Sequence, residues 1–226
     1  EFGNCLWLEL DGKRIAFTSY KDGNPNLYVM DIGRGTTRLV SKKKGVNIAP
    51  DWSPDGERIA LTLNLSSGNS EIYVLHERSG SLERMTNDFA TDVSPSWSPD
   101  GRWMAFVSDR SGTPQIHVLE VATGRVRRLT YEGSYNTSPA WSPRGDKIAY
   151  AGLTGGQYNI FITTPDGQFH QQITGREGNN EDPAWSPDGR FLAFCSTRNG
   201  QKEIFLTRAD GSGQKQITFG KGHKSD

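Results

Sequence analysis

The carboxylates, histidines and cysteines of this 226-residue sequence are the side chains best suited to chemistry, and their spacing decides which chemistry. Asp92, Glu181, Asp182 and Asp226 would make an oxygen-rich cluster of the kind that holds Ca²⁺ if the fold brought them together. They lack the spacing of a calcium loop. The first expectation is therefore solvated charges, with a bound Ca²⁺ as the alternative and no other cofactor. His76, His117, His170 and His223 do not recur at a common place in the repeat described below, so they do not read as a ligand set. There is no Gly-x-Ser-x-Gly elbow, no Gly-x-Gly-x-x-Gly phosphate loop and no His-Glu-x-x-His, so the chain is not expected to be an enzyme. Cys5 and Cys195 make neither a disulfide framework nor a metal quartet. They are expected to be two separate small apolar residues, with a bond between them left open.

A different set of residues recurs. Asn47-Ile48-Ala49-Pro50, Asp92-Val93-Ser94-Pro95, Asn136-Thr137-Ser138-Pro139 and Asn180-Glu181-Asp182-Pro183 each place an Asn or Asp three residues before a proline. The Asn or Asp reads as a turn cap that bonds nearby backbone amides. The two residues after it change from copy to copy, and variable residues on a repeated scaffold are where a partner surface is written.

These segments are positioned by a repeat of roughly 44 residues. Trp-Ser-Pro occurs at Trp52, Trp97, Trp141 and Trp185, and each copy is followed by an apolar run: Ile59-Ala60-Leu61, Met104-Ala105-Phe106, Ile148-Ala149-Tyr150 and Leu192-Ala193-Phe194. A fifth run, Ile15-Ala16-Phe17, lies upstream behind a leading strand, Leu6–Leu10, that lacks the signature but keeps Asp11-Gly12. One copy reads as four short strands: 92–98, 102–108, 115–121 and 125–130, joined by Pro-Asp-Gly, Asp-Arg-Ser-Gly and Ala-Thr-Gly turns. No helical periodicity competes. The expectation is one all-β domain over 1–226, a β-propeller of five four-stranded antiparallel blades at about 5–46, 47–91, 92–135, 136–179 and 180–226. The apolar first two strands belong inside, and the periodic tryptophans pack blade on blade. Arg125, Arg127 and Arg128 in one copy, and Arg34 and Arg38 in another, blunt the outer edge. Whether five blades close edge to edge, belong to a longer propeller, or swap strands into a dimer rather than remain monomeric is left open.

Lys+Arg 26 balances Asp+Glu 26, which argues against a bulk electrostatic role on nucleic acid or an anionic membrane. No apolar run approaches the roughly 20 residues of a membrane-spanning helix, and no signal peptide is expected at the start of the sequence.

The pattern Pro-x-Trp-Ser-Pro-Asp-Gly-x-x-Ile-Ala-Phe, with Ile-Tyr-Val and Arg-Leu-Thr further on, resembles the propeller of the TolB family, the periplasmic component of the bacterial Tol–Pal system. The stretches 106–112, 128–139 and 179–189 carry the resemblance most clearly, and it runs from about residue 8 to the end. The resemblance implies a non-enzymatic periplasmic scaffold that receives a Pal-like lipoprotein or a colicin-like peptide at the mouth of the propeller and supports outer-membrane integrity. It assigns partner contact to Asn47, Ile48, Ala49, Asp92, Val93, Ser94, Asn136, Thr137, Ser138, Asn180, Glu181 and Asp182, and, in phase with them, to Lys224 and Ser225. Two features depart from the family: it usually has six blades, and it carries an N-terminal α/β domain that nothing here matches. Related repeats form the substrate-gating propellers of prolyl-oligopeptidase-like and tricorn-like proteases, which is the alternative reading. An engineered or fragmentary propeller without a retained partner is a third.

Overall fold

The computed structural model describes residues 12–43, 45–65, 68–175 and 177–220, and the backbone of 2–8. Lys224, Ser225 and Asp226 therefore lie outside the described residues, as do the side chain of Cys5 and residues 9–11. Twenty strands follow one another. Blade 1 contains β1 (Phe2–Leu8), β2 (Arg14–Ser19), β3 (Asn26–Asp31) and β4 (Thr36–Ser41), and blade 2 contains β5 (Asn47–Trp52), β6 (Arg58–Leu63), β7 (Glu71–His76) and β8 (Leu82–Arg84). Blade 3 contains β9 (Asp92–Trp97), β10 (Trp103–Ser108), β11 (Gln115–Glu120) and β12 (Val126–Arg128). Blade 4 contains β13 (Asn136–Trp141), β14 (Ile148–Thr154), β15 (Gln157–Thr163) and β16 (His170–Gln172). Blade 5 contains β17 (Asn180–Trp185), β18 (Phe191–Ser196), β19 (Glu203–Arg208) and β20 (Lys215–Gln216). Every blade pairs its strands in chain order and antiparallel, as expected of a β-propeller. The chain divides into two compact units, Glu1–Tyr131 with blades 1 to 3 and Glu132–Asp226 with blades 4 and 5.

The Trp-Ser-Pro-Asp-Gly signature is a self-contained turn. Ser53 Oγ bonds Asp55 Oδ1 at 2.5 Å and accepts from Arg58 N at 3.0 Å, while Gly56 N closes the turn on Ser53 O at 2.9 Å. The same contacts recur at Ser98–Asp100, 2.6 Å, and Ser186–Asp188, 2.6 Å. Gly56, Gly101 and Gly189 all have φ near +67°, where a side chain would be strained. At the exposed Asp188, hydrogen bonds from Ser186 and from the Arg190 amide hold the carboxyl far below the usual carboxylate range.

The fourth strand of blade 3 is shorter than the sequence suggests: β12 covers 126–128 rather than 125–130. The cause is a threonine that replaces a ladder bond. Thr130 Oγ1 accepts from Ile116 N at 2.9 Å and donates to Gln115 Oε1 at 2.8 Å, so the chain leaves the sheet two residues early. Thr86 with Glu71 and Ile72, Thr174 with Ile160, and Thr218 with Glu203 and Ile204 repeat the device. The leading strand of blade 1 also differs from its expected position, starting at Phe2 because Phe2 pairs with Ser19 beyond a bulge.

Within each unit, one face of a blade is covered by the next. Ala16, Leu27 and Val29 of blade 1 pack on Trp52, Ile59, Leu61 and Leu75 of blade 2, and Ala60, Ile72 and Val74 of blade 2 pack on Trp97, Met104, Phe106 and Leu119 of blade 3. Arg14 stacks over Trp52 at 4.5 Å and Arg58 over Trp97 at 4.9 Å, sealing both seams. In the second unit Ala149, Ala151, Ile160 and Ile162 pack on Leu192, Phe194 and Phe205, and Trp185 Nε1 donates to Ala140 O at 2.9 Å. The described tryptophans at these seams thus serve blade-to-blade packing. The outer face of blade 5 breaks the pattern: Ile204 and Ile217 are 39% and 47% exposed, where Ile160 and Ile173, one repeat earlier, are 0% and 6%.

Candidate functional site

Each variable pair sits on a β-bulge at the head of a first strand. Register runs Ile48↔Thr62 and then Asp51↔Ala60, so Ala49 and Pro50 face the single residue Leu61. The same two-against-one break falls between Val93 and Ser96, Thr137 and Ala140, and Glu181 and Ala184. The first bulged residue is left-handed each time: φ is +51° at Ala49, +56° at Ser94, +50° at Ser138 and +54° at Asp182. Among the described residues these are the only non-glycine residues with positive φ. A left-handed L-residue costs on the order of 1 kcal/mol, and such strain concentrates at functional positions. The following proline disfavours the right-handed helical region, and its lack of an N–H suits the break in the ladder.

The bulges are held from the neighbouring blade of the same unit. Thr18 Oγ1 donates to Asn47 O at 3.1 Å, and Ser94 N donates to Thr62 Oγ1 at 3.0 Å. In the second unit Ser138 Oγ donates to Asp182 Oδ1 at 3.0 Å, joining two equivalent bulge positions one repeat apart.

The structure separates the candidate residues into two groups. Asn47, Asp92, Asn136 and Asn180 are buried and spent inside the fold, with no side chain turned outward. Asn47 Nδ2 donates to Lys43 O at 2.8 Å and Pro25 O at 3.0 Å, and its Oδ1 accepts from Ser41 Oγ at 2.9 Å. Asn136 Nδ2 donates to Glu132 O at 2.8 Å, and Asn180 Oδ1 accepts from Arg198 Nη2 at 3.0 Å. Asp92 pairs with Arg110 at 2.7 Å, and burial pushes its carboxyl above the usual range against the bonds from Ser108 and Arg110. Ile48, Val93, Ser94, Thr137, Ser138 and Glu181 are half-buried, Asp182 is exposed and Ala49 is buried.

The two units differ in chemistry at these positions. The bulges of blades 2 and 3 offer Ile48, Val93 and Ser94, an apolar surface with one hydroxyl. Those of blades 4 and 5 offer Thr137, Ser138, Glu181 and Asp182, and Lys202 joins them at 3.6 Å from both Glu181 Oε2 and Asp182 Oδ2. Burial alone would lower the Lys202 ammonium, but Asp182 and Glu181 outweigh it and hold its pKa above the ordinary value. Cys195, opposite Glu181 in the ladder, is a free, half-buried thiol, and burial pushes its pKa up, which disfavours the thiolate.

Sequence reasoning missed Lys202 and Asp51. Lys202 lies in the turn before β19, far along the chain from its partners. Asp51 stands where the other copies have Ser96, Ala140 and Ala184, so a charge at an otherwise small position was the available signal. Its Oδ2 accepts from Trp97 N at 2.6 Å across the seam of blades 2 and 3. Removal from water raises its carboxyl to about 7 despite amide bonds from Trp97 and Trp52.

His223 lies outside the described residues, and His170 lines a cavity with Asn136 and Tyr150. Burial drives His117 down to about 4, so it stays neutral, and His170 bonds Tyr150 Oη through Nδ1 at 2.9 Å. Among the described residues no group of three or more His, Cys, Asp or Glu side chains is placed to hold a metal ion. No helix in the described residues is long and apolar enough to cross a membrane.

Comparison with known proteins gives a consistent picture. A family model described as the TolB beta propeller domain matches residues 7–160 and 136–226. A curated relative, the Tol-Pal system protein TolB of Alcanivorax borkumensis, is 46% identical over 55 residues, which is 24% of this chain and 13% of that protein. The crystal structure of TolB from Acinetobacter baumannii superposes with a TM-score of 0.85 at 31% identity, over 92% of this chain and 52% of that one. A putative TolB from Agrobacterium tumefaciens gives 0.83 at 25% identity, over 94% and 79%. The chain thus spans about half the length of the Acinetobacter protein.

Proposed function

Because the chain belongs to the TolB β-propeller domain family, we propose that it is a non-enzymatic module of a periplasmic Tol–Pal system that binds a protein partner through its bulged first strands. In this reading the partner is a Pal-like lipoprotein, and the complex supports the integrity of the outer membrane. One observation carries the proposal. Four equivalent bulges hold their lead residue in a strained left-handed geometry, and the pair formed by that residue and the one before it changes in every copy: Ile48-Ala49, Val93-Ser94, Thr137-Ser138 and Glu181-Asp182. Strain kept four times over while the side chains vary fits a display scaffold, since packing alone would favour glycine at these positions. Rigid display also limits the ordering entropy that binding would consume.

Thr137, Ser138, Glu181 and Asp182 supply hydrogen-bonding and charged contacts, with Lys202 fixing both carboxylates. Ile48 and Val93 supply apolar contacts. The buried Asn47, Asp92, Asn136 and Asn180 act as supports that set the bulges without touching the partner. Titration calorimetry of the purified chain with the soluble domain of a Pal lipoprotein tests this. Saturable one-to-one binding is expected, and Thr137→Ala with Glu181→Ala should weaken it about 10-fold or more with little change in Tm. Equal losses of binding and stability would make these residues structural, and no binding by the folded chain would refute the assignment.

A further inference from the structure

The loop between β8 and β9, Asn87–Thr91, carries Phe89 with its side chain fully exposed, at 106%. Single exposed apolar residues are ordinary on protein surfaces. Here the backbone on either side of the ring is fastened. The buried Glu71 accepts from Asp88 N at 3.1 Å, and Asn69 Nδ2 donates to Asp88 O at 2.6 Å and also to Ala90 O. Asp88 Oδ1 accepts from Ala90 N at 3.0 Å, and Asp109 Oδ1 accepts from Thr91 N at 2.8 Å. Arg110 ties the two ends together, 3.6 Å from Asp88 and 2.7 Å from Asp92. The loop is pinned through both neighbours of Phe89, while its largest apolar group stands in water. Position 89 also varies freely between copies, with Gly133 and Glu177 at the corresponding places. Nothing in the repeat therefore demands an aromatic there.

We propose that Phe89 is a preorganised aromatic anchor that inserts into an apolar pocket of the protein partner, a pocket rimmed by basic side chains. The inference rests on the function proposed above and assigns the pocket to that same Pal-like partner. An aromatic ring on a fixed backbone gains its burial energy without paying for loop ordering, which is the usual character of an interface hot spot. The sign of the rim follows from the loop's surroundings. The buried Asp92 neutralises Arg110 and the buried Glu71 neutralises Arg84, which leaves Asp88 and Asp109, so the surface around the ring is net negative. The same charge disfavours an anionic lipid surface as the occupant.

The test compares the chain, Phe89→Ala and Phe89→Leu in calorimetric titrations with the soluble Pal domain at two salt concentrations. Unchanged Tm in Phe89→Ala is expected, because the ring touches nothing in the fold. Phe89→Ala should raise Kd about 30-fold and Phe89→Leu should recover part of it. Asp109→Asn, which keeps the acceptor for Thr91 N, should slow association at low salt. Binding by the parent chain with Phe89→Ala within about 3-fold of it would overturn the anchor and leave the proposed function standing. Absence of binding by the parent chain would overturn both. Phe89-dependent sedimentation with phosphatidylglycerol vesicles, without an effect on Pal binding, would also overturn the inference in favour of a lipid surface.

Discussion

Replacing Asp51 by asparagine should make the protein more stable at alkaline pH and leave it nearly unchanged at acid pH. Asp51 sits at the seam of blades 2 and 3 with its carboxyl raised to about 7, whereas an aspartate in the unfolded chain titrates near ~3.9. Between those values the folded state binds a proton that the unfolded state has released, so stability falls as pH rises through this window. Below about pH 4 both states are protonated and the residue contributes no penalty; above about pH 7 the penalty is complete. Three pKa units correspond to about 4 kcal/mol as a ceiling, and residual solvation of this partly accessible carboxylate brings the expectation to ~2–3 kcal/mol. Asparagine keeps an oxygen to accept the Trp97 amide bond, now 2.6 Å long, but never ionises. Urea titrations of parent and Asp51→Asn at pH 4.5, 6, 7 and 8.5, followed by tryptophan fluorescence, read the difference directly, since all other titrating groups are common to both. The variant's advantage should grow with pH and saturate above about 7.5. A difference that stays constant across the series would refute the claim that burial of this carboxylate strains the seam.

The bulge and the packing faces give two more tests. Ser94→Val should lower stability by ~2 kcal/mol, because a β-branched side chain is poorly accommodated at φ +56°, while Ser94→Gly should stay within about 1 kcal/mol of the parent; equal behaviour of the two in thermal melts would remove backbone strain from the account. Ile160→Thr should cost about 2–3 kcal/mol in urea unfolding and Ile204→Thr less than about 1. The two occupy the same register in successive blades, but only Ile160 is covered; similar losses would mean that the outer face of blade 5 is covered in solution.

Much of the fold is local, and local order is what a sequence displays. Ser53, Asp55 and Gly56 bond among themselves, so the signature they form marks a turn wherever it occurs. Alternation in Gln115–Glu120 and the small-large run Met104-Ala105-Phe106 mark strands for the same reason. The bulges were harder to see. Asn-x-x-Pro announces a turn-like start, but the left-handed Ala49, Ser94, Ser138 and Asp182 follow from pairing two residues against one on the next strand. The fourth strand of blade 3 ends sooner than its sequence suggests because Thr130 looks like a β-former and acts as a terminator, through contacts with Gln115 and Ile116 on a different strand.

By itself, then, the sequence determined the repeat, the four-stranded unit and the family resemblance, because a periodic pattern of short-range interactions specifies each blade independently of the others. It also marked the segments where copies differ. Which side chains in those segments are available was decided only by tertiary structure. The family resemblance implies partner contact for Asn47 and Asn136 as for Thr137, and their residue type suggests caps on backbone amides, yet their side chains turn inside and donate to loop carbonyls, Lys43 and Glu132. Lys202 meets Glu181 and Asp182, and Asp51 meets Trp97, across distances in the chain that no local pattern encodes. Charge placement and desolvation depend on what folds over a residue, and that is set by the packing of one blade on the next.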